Sequence, residues 1–460
     1  MFSQWEECVM EKPKFSGTIS KVFDEDDKYS FYYDGKRLNL HLVETNGLKI
    51  GCSKKEDFLL ANHSAGGIVG LYKCVCNNNT IDETATIYPS MIYVSKCINS
   101  TDDKFNRLLF KGKIVNQLFP PTKKVKYDSS KDFSRKRDGS KIIELKTFDD
   151  TDLGFSVAID EVLYNCKFGV YCPGAINDGD DNLGELTSYF EIDFEETKYI
   201  SDVLKVYSAV RKFFEFLAKQ KDIYFDGVQV DIKNNDGKFE TIGFFIDNTI
   251  EEHEIKIKFN INKFLPHIGD LFLEIAKNEF NYKYIPKDDF EAKYITSESY
   301  IKVCGAFEHN YELIFTTLPS KYKYKLDTID SIKEFLDEKL KAEGLSNKYK
   351  QYFDDIVELL INSLNSVEAQ FNRCLSHYIS SIDDFLQHVK NRYGLQEDVN
   401  LGREFSQFRN VDVHGGFAQF TNSSICAFIV CTVLIECMIL EEANYTLDEI
   451  KDIIAERYLL

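Results

Sequence analysis

The apolar residues of this chain change their spacing along its length, and that change limits what the chain can fold into. Near the start they alternate: Tyr29, Phe31 and Tyr33, then Leu38, Leu40 and Leu42, with Asp34-Gly35 between as a turn. Alternation puts the apolar side chains on one face of a pleated strand, so this segment predicts a β-hairpin. Short apolar runs at 68–75, 87–94 and 108–114, punctuated by Gly, Asn and Asp, extend the reading to a β-rich domain over 1–173, a barrel or a sandwich. From about residue 325 the spacing becomes helical and stays so. Ile329, Ile332 and Phe335 mark one helix, and Phe353, Ile356, Val357, Leu360 and Leu364 a second. A third carries Phe371, Leu375, Tyr378, Ile382, Phe385 and Val389 and stops at Gly394. A short fourth carries Phe405, Phe408 and Arg409 and ends at Gly415-Gly416; an apolar helix begins at Ser423, and Thr446 with Glu449 forms a capping box for the last.

Between these regions, Ile200, Val203, Leu204, Tyr207, Val210, Phe214 and Leu217 repeat with helical period. Val228, Val230 and Ile232 then alternate up to Asn235-Asp236-Gly237, and Ile242, Phe244 and Ile246 return. The expected fold class is α+β: a β-rich N-terminal region (1–173), a small α+β middle module of helix and hairpin (186–300), and a C-terminal all-α helical bundle (305–460).

Composition narrows the function classes. Hydrophobic residues at 43% and charged residues at 28% suit a globular chain of 460 residues and exclude a disordered one. A net charge of −19, from 56 basic and 75 acidic residues, argues against a general nucleic-acid coat and leaves room for a local phosphate-binding cleft. The first residues have neither a basic start nor an apolar core, so no secretory signal is expected. The most apolar stretch, Ile425–Leu440, contains Glu436 and falls short of the roughly 18 residues a spanning helix needs, which predicts a buried helix, a cytoplasmic chain and no membrane partner. Twelve cysteines without a CxxC pair read as reduced thiols; Cys74 and Cys76 are the only close spacing, and a zinc site there lacks a second pair.

Familiar catalytic signatures are absent: no GxxxxGK loop, GxSxG elbow, HExxH or GxGxxG unit occurs. Asp178, Asp180 and Asn182 superficially resemble a calcium loop, but Leu183 and Tyr189 occupy the positions of its Gly and bidentate Glu. The segment 123–141 is basic and reads first as a solvated loop, with Lys123, Lys124, Lys126, Arg135, Lys136 and Arg137 as candidate contacts to RNA phosphates in the less favoured reading. Lys321-Tyr322-Lys323-Tyr324-Lys325 alternates basic and aromatic residues, which suits stacking bases and holding phosphates and equally an amphipathic strand with exposed lysines. His63, His253, His377 and His388 are isolated and are assigned no catalytic role.

One constellation stands apart: Phe408-Arg409-Asn410-Val411-Asp412-Val413-His414-Gly415-Gly416. The bland reading is a capping His and a surface Arg. Its placement argues otherwise, because the Arg-Asn-x-x-x-His run ends a short helix after a long helix and before a buried apolar one. In that arrangement the last 150 or so residues resemble the HEPN superfamily, and the chain is most similar to the ApeA-like HEPN proteins of bacterial antiphage (abortive-infection) defence; the upstream order of β-rich domain, helix and strands resembles theirs more loosely. The resemblance implies a HEPN bundle, a homodimer, and a metal-independent endoribonuclease without cofactor. It places the catalytic roles on Arg409 and His414, with Asn410 as the polar residue after the Arg.

The residue types suit that chemistry on their own. RNA carries its nucleophile, the 2′-hydroxyl beside each scissile phosphate. An imidazole that titrates near neutrality serves as acid or base, and a guanidinium grips phosphate oxygens in pairs while staying charged. One motif supplies one His while cleavage needs two proton-transfer groups, which is a physical reason to expect two protomers at one site. Asp412 is either a tautomer-setting partner of His414 or a solvated surface residue. The implied partners are RNA (tRNA or another cellular RNA), a second copy of the chain and a phage-derived trigger. The rival expectation is a non-catalytic HEPN-type dimerisation or binding protein with a ligand- or partner-sensing β domain.

Overall fold

A computed structural model describes residues 14–23, 28–44, 53–79, 84–95, 104–120, 154–171, 187–249, 261–315, 331, 333–339, 341, 351–352, 355–356, 366–413 and 419–459. Its contacts divide the chain into two units: Met1–Phe214 with Asp222–Ile257, and Glu215–Lys221 with Lys258–Leu460. The β-rich N-terminal region and the helical C-terminal region anticipated from the spacing are both present.

Among the described residues the first unit is built on twelve antiparallel strands: β1 Phe15–Ser20, β2 Lys28–Tyr33, β3 Leu38–Glu44, β4 Ser53–His63, β5 Ile68–Asn79, β6 Thr84–Ser95, β7 Lys104–Lys111, β8 Gly154–Ile159, β9 Val162–Tyr171, β10 Thr187–Tyr199, β11 Gly227–Lys233 and β12 Phe239–Asp247. The expected hairpin is β2–β3, with Tyr33 opposite Leu38 and Phe31 opposite Leu40. Strands run β3-β2-β1-β4-β5-β6, and pairing of β3 with β6 closes these six into a ring. Tyr33, Leu38, Leu40, Val69, Leu71, Cys76 and Ile87 fill its interior, which is what the one-in-two spacing dictates. Strand β6 serves two neighbours on one side: Thr84–Ile87 faces β3, and Met91–Ser95 faces β12. Pro89, which has no N–H to donate, falls between them.

From β6 the sheet continues as β12-β11-β7-β10-β9-β8. The hairpin 227–247 therefore lies inside this sheet, paired with β7 on one side and β6 on the other. The expected separate middle module over 186–300 is not a unit of its own; its strands β10, β11 and β12 belong to the sheet, and Glu215–Lys221 with the residues from Lys258 onward belong to the second unit. An isolated two-stranded hairpin is marginal in water, and pairing on both edges removes that weakness. The run 108–114 also divides differently from a single strand: β7 stops at Lys111, Gly112 turns at φ 147°, and α1 Lys113–Leu118 follows. Helix α2 (Val203–Ala218) presents Tyr207, Phe213 and Phe214 to Phe110, Phe168 and Phe190 of the sheet, with ring centroids 5.5–6.2 Å apart.

The second unit contains α3 Ile268–Lys277, α4 Asp289–Lys293, α5 Ser297–Ile314, α6 Val367–Arg392, α7 Leu401–Val413, α8 Asn422–Glu442 and α9 Leu447–Leu459. Sequence signals placed the ends of several. Gly394 takes φ 65° just after α6, and Thr446 and Glu449 exchange hydrogen bonds at the start of α9 (Glu449 N–H to Thr446 Oγ1 3.3 Å, Thr446 N–H to Glu449 Oε2 2.9 Å). Helix α8 is buried at every position from Val433 to Leu440, so it is the bundle core. It is long and apolar enough to cross a membrane by composition alone, and 72% of its most apolar window is buried inside the protein. Of the two helices expected over 329–364, only short helical pieces are described, and Phe335 and Ile356 are exposed there.

Buried charge closes the bundle. Glu436 of α8 meets the Arg457 guanidinium of α9, accepts from Tyr458 Oη at 2.7 Å and lies 3.5 Å from Lys219 Nζ. Arg457 Nη2 also donates to the carbonyls of Phe216 (2.9 Å) and Leu217 (2.6 Å), the open C-terminal end of α2. Such a pair is costly to break because one charge stays behind in a dry site. Glu436→Ala is expected to destabilise the protein by about 3–5 kcal/mol in denaturant titrations. A loss under about 0.5 kcal/mol, the size of a neutral surface change, would show that the charges contribute nothing.

Candidate functional site

Helix α7 holds the Arg-Asn pair of the sequence motif, and its other face fixes where that pair points. Asn400 Oδ1 accepts from the Arg403 N–H at 3.0 Å, and Asn400 Nδ2 donates to Glu368 of α6 at 3.0 Å. A Cβ at Gly402 would lie 2.6 Å from Asn372 Oδ1 and 2.9 Å from the Glu368 carbonyl, so only glycine lets α7 approach α6 this closely. Phe405 packs against Phe371 and Phe307 (5.3 and 6.0 Å), and Phe408 against Tyr300 and Phe420 (4.2 and 4.7 Å). With these rings turned inward, Arg409 lies half-buried and Asn410 exposed.

Arg409 meets a carboxylate that the motif does not contain. Its Nη2 lies 3.1 Å from Glu308 Oε1 and donates to Oε2 at 3.4 Å; both side chains are 31% exposed. Nη1 donates to Asn410 Oδ1 at 3.3 Å. The carboxylate holds one guanidinium nitrogen, and among the described residues Nε–H has no partner. An ion pair this exposed contributes about 0–1 kcal/mol to stability, so it organises charge more than it holds the fold.

Glu308 lies on α5, a helix the sequence reading missed. Its signal was present: Tyr300, Val303, Cys304, Phe307 and Tyr311 follow helical spacing and are all buried, and Thr296 caps the helix by accepting from the Ser299 N–H at 3.1 Å. The structure thus joins Arg409 to Asn410 and to Glu308. His414, the side chain of Asp412, the basic residues Lys123, Lys124, Lys126, Arg135, Lys136 and Arg137, the 174–185 linker and the Lys321–Lys325 segment lie outside the described residues.

A second polar cluster lies elsewhere in the bundle. His377 of α6 has its Nε2 2.9 and 3.0 Å from the two carboxylate oxygens of Glu441 on α8, and Tyr378 Oη donates to the same carboxylate at 2.5 Å. The hydrogen bond that His377 donates to Glu441 raises the His377 pKa against the pull of burial. Burial raises Glu441, yet the bonds from His377 and Tyr378 outweigh it and leave the carboxylate below its ordinary value. This bridge ties two helices together, with the buried thiols of Cys374 and Cys437 near enough to Glu441 to be raised by its charge.

Among the described residues no group of three or more His, Cys, Asp or Glu is placed to hold a metal ion. Cys74 and Cys76 face the core of the strand ring, and burial pushes the Cys74 thiol up to about 12. His63 accepts from the Ala65 N–H at its Nδ1 (3.0 Å), a turn contact. No family model, no curated protein and no solved structure matches this chain.

The His377–Glu441 bridge predicts a pH dependence of stability. A raised imidazole contributes fully below its unfolded value of 6.5 and loses that contribution as pH rises through the folded value. A lowered carboxylate contributes above 4.5 and loses it as pH falls. Chemical denaturation of wild type against His377→Ala should therefore show a difference that is largest between pH 5 and 6.5 and shrinks above it. An equal difference at pH 6 and pH 9 would mean that His377 acts by packing alone.

Proposed function

We propose that the chain is a metal-independent endoribonuclease of the HEPN type, similar to the ApeA-like proteins of antiphage defence. Arg409 and His414 of two protomers would meet at one composite site and cleave RNA to a 2′,3′-cyclic phosphate and a 5′-hydroxyl. The observation that carries this reading is the Arg-Asn-x-x-x-His run of the sequence, whose Arg409 and Asn410 lie in the last turns of α7 and set a half-exposed guanidinium beside an exposed amide. Arg409 clamps the phosphate and stabilises the charge that builds on it, while His414 supplies the proton transfer. The second imidazole comes from the partner protomer, and the N-terminal strand unit senses the trigger or selects the RNA. The net charge of −19 keeps non-specific RNA at a distance until the enzyme is switched on, which suits a nuclease that acts on its own cell from within the cytoplasm.

A second reading has one observation in its favour. Arg409 is already paired within its own protomer, as a purely structural arginine would be. In that case the bundle dimerises or holds a partner, and the strand unit binds a ligand.

Purified protein incubated with total RNA in EDTA separates the two, beside Arg409→Ala and His414→Ala. The nuclease reading predicts cleavage by wild type and a loss of about 10²–10³-fold in Arg409→Ala, the usual consequence of removing one transition-state donor. RNA left equally intact by all three proteins, with and without phage lysate as a source of trigger, would favour the binding protein. Activity abolished by EDTA would instead point to a metal-dependent reaction.

A further inference from the structure

We propose that Phe420 and Arg403 hold the strand at this site: the ring stacks an unpaired base, and the guanidinium takes a phosphate near the one that Arg409 engages, which makes the substrate single-stranded RNA. The inference rests on the ribonuclease reading above and adds two residues that the Arg-Asn-x-x-x-His run does not contain. The first observation is an aromatic ring left partly in water. Phe420 is 37% exposed, while the two rings it packs on are buried: Phe408 lies 4.7 Å away at an interplanar angle of 29°, and Tyr300 lies 6.5 Å away. The stack supports the Phe420 ring from within, and its exposed part is a flat apolar surface of the kind on which any base stacks. The next residue fixes its place. Thr421 caps α8, its N–H donating to Ser424 Oγ at 2.9 Å and its Oγ1 accepting from the Ser424 N–H at 3.1 Å.

The second observation is charge. Arg403, Gln407 and Asn410 follow one another at i, i+4 and i+7, and all three are exposed, so they form one stripe on the outer side of α7. Gln407 and Arg409 flank Phe408, each about 100° around the helix from it, so the ring that packs on Phe408 stands at the edge of that stripe. Arg403 precedes Arg409 by about 9 Å along the axis, at 1.5 Å per residue. The Arg403 guanidinium has no partner among the described residues; its backbone N–H alone is bonded, to Asn400. Two nearby carboxylates are already engaged, Glu404 by the Ser423 hydroxyl at 2.7 Å and Glu308 by Arg409. On a chain of net charge −19, α7 thus turns two arginines outward. Guanidinium groups spaced along a helix match a chain of phosphates, and a flat ring beside them matches a base. A duplex keeps its bases in the stack, so a single strand is what offers both at once.

The test compares affinity for a short single-stranded RNA with that for the same sequence as a duplex, over a range of salt. Affinity is read by fluorescence anisotropy while the RNA stays whole and as KM where it is cut. The proteins are the full-length wild type, Phe420→Ala, Phe420→Leu, Phe420→Tyr and Arg403→Gln, each checked for folding by circular dichroism. Phe420→Ala should weaken single-strand affinity by about 5- to 150-fold, the range that one stacked base covers, and lose the preference for single strand over duplex. Phe420→Tyr keeps a flat ring and should keep both. Phe420→Leu keeps an apolar side chain on Phe408 without the ring; it should behave as Phe420→Ala and carries the test if that variant does not fold. Arg403→Gln should reduce the slope of log affinity against log salt by about 0.7, the loss of one phosphate contact on a single strand. Wild-type affinity and strand preference in the alanine and leucine variants overturn the proposal, as does an unchanged salt slope in Arg403→Gln; RNA still cut by wild type would then leave the nuclease reading standing. A Phe420→Ala protein that passes from dimer to monomer in light scattering overturns it too, because the ring then faces a second copy. RNA bound with these dependences but left whole supports the surface and ends the nuclease reading, and RNA neither bound nor cut by wild type ends both.

Discussion

The exclusion of water from every side of the C-terminal half of α8 is the constraint that the rest of the bundle answers to. Consecutive buried residues from Val433 to Leu440 cover more than two turns, so no single neighbouring helix can shield them. Helices α5, α6, α7 and α9 all contact α8, and each has to bring an apolar face to do so. Tyr300 of α5 is where these faces meet, fully buried among the rings of Phe405, Phe408, Phe420 and Phe428. Its hydroxyl has no hydrogen-bond partner among the described residues, and leaving a hydroxyl dry costs about 1–3 kcal/mol. The ring contacts offset that cost by placing α5 alongside α7. Once those two helices lie side by side, Glu308 and Arg409 are within reach of each other. The polar pair at the surface is thus a consequence of the apolar packing beneath it.

How much of this was readable in advance depended on how far apart the cooperating residues are in the chain. Local signals were enough for the ends of α6 and α9, where Gly394, Thr446 and Glu449 satisfy backbone groups within a turn of themselves. The β2–β3 hairpin was equally local, its two alternating runs joined by Asp34-Gly35. Closure of the strand ring was not, because it depends on the register of Leu38 against Ile87, and spacing within one strand carries no record of its second partner. The same limit misplaced the 227–247 hairpin, whose edges pair with β6 and β7 from the first part of the chain.

The candidate site divides along the same line. Arg409 and Asn410 are adjacent in sequence and were found from it; Glu308 is 101 residues away and was not. A boundary drawn near residue 300 cut through the start of α5 and hid a helical stripe that would otherwise have shown it. Even with that helix in hand, its half-buried carboxylate would have had no distinguishing mark, because a partner on another helix is selected by packing and not by spacing.

The ion pair also bears on which nucleic acid such a site would accept. A guanidinium alone binds the phosphates of DNA and RNA alike, and on a chain of net charge −19 it would bind either weakly at long range. A carboxylate 3.1 Å away changes the terms. It repels the phosphate unless that strand also brings a donor to the carboxylate, and the sugar next to the phosphate offers one in RNA, the 2′-hydroxyl, and none within a deoxy strand. A deoxy strand would present its charge to Arg409 and leave Glu308 with an unpaired, partly desolvated oxygen, a cost of the kind that makes polar sites reject ligands lacking one group. On the ribonuclease reading, one half-exposed ion pair then does two things at once: it weakens the resting site toward anions in general, and it reserves the site for strands that bring a hydroxyl together with a phosphate.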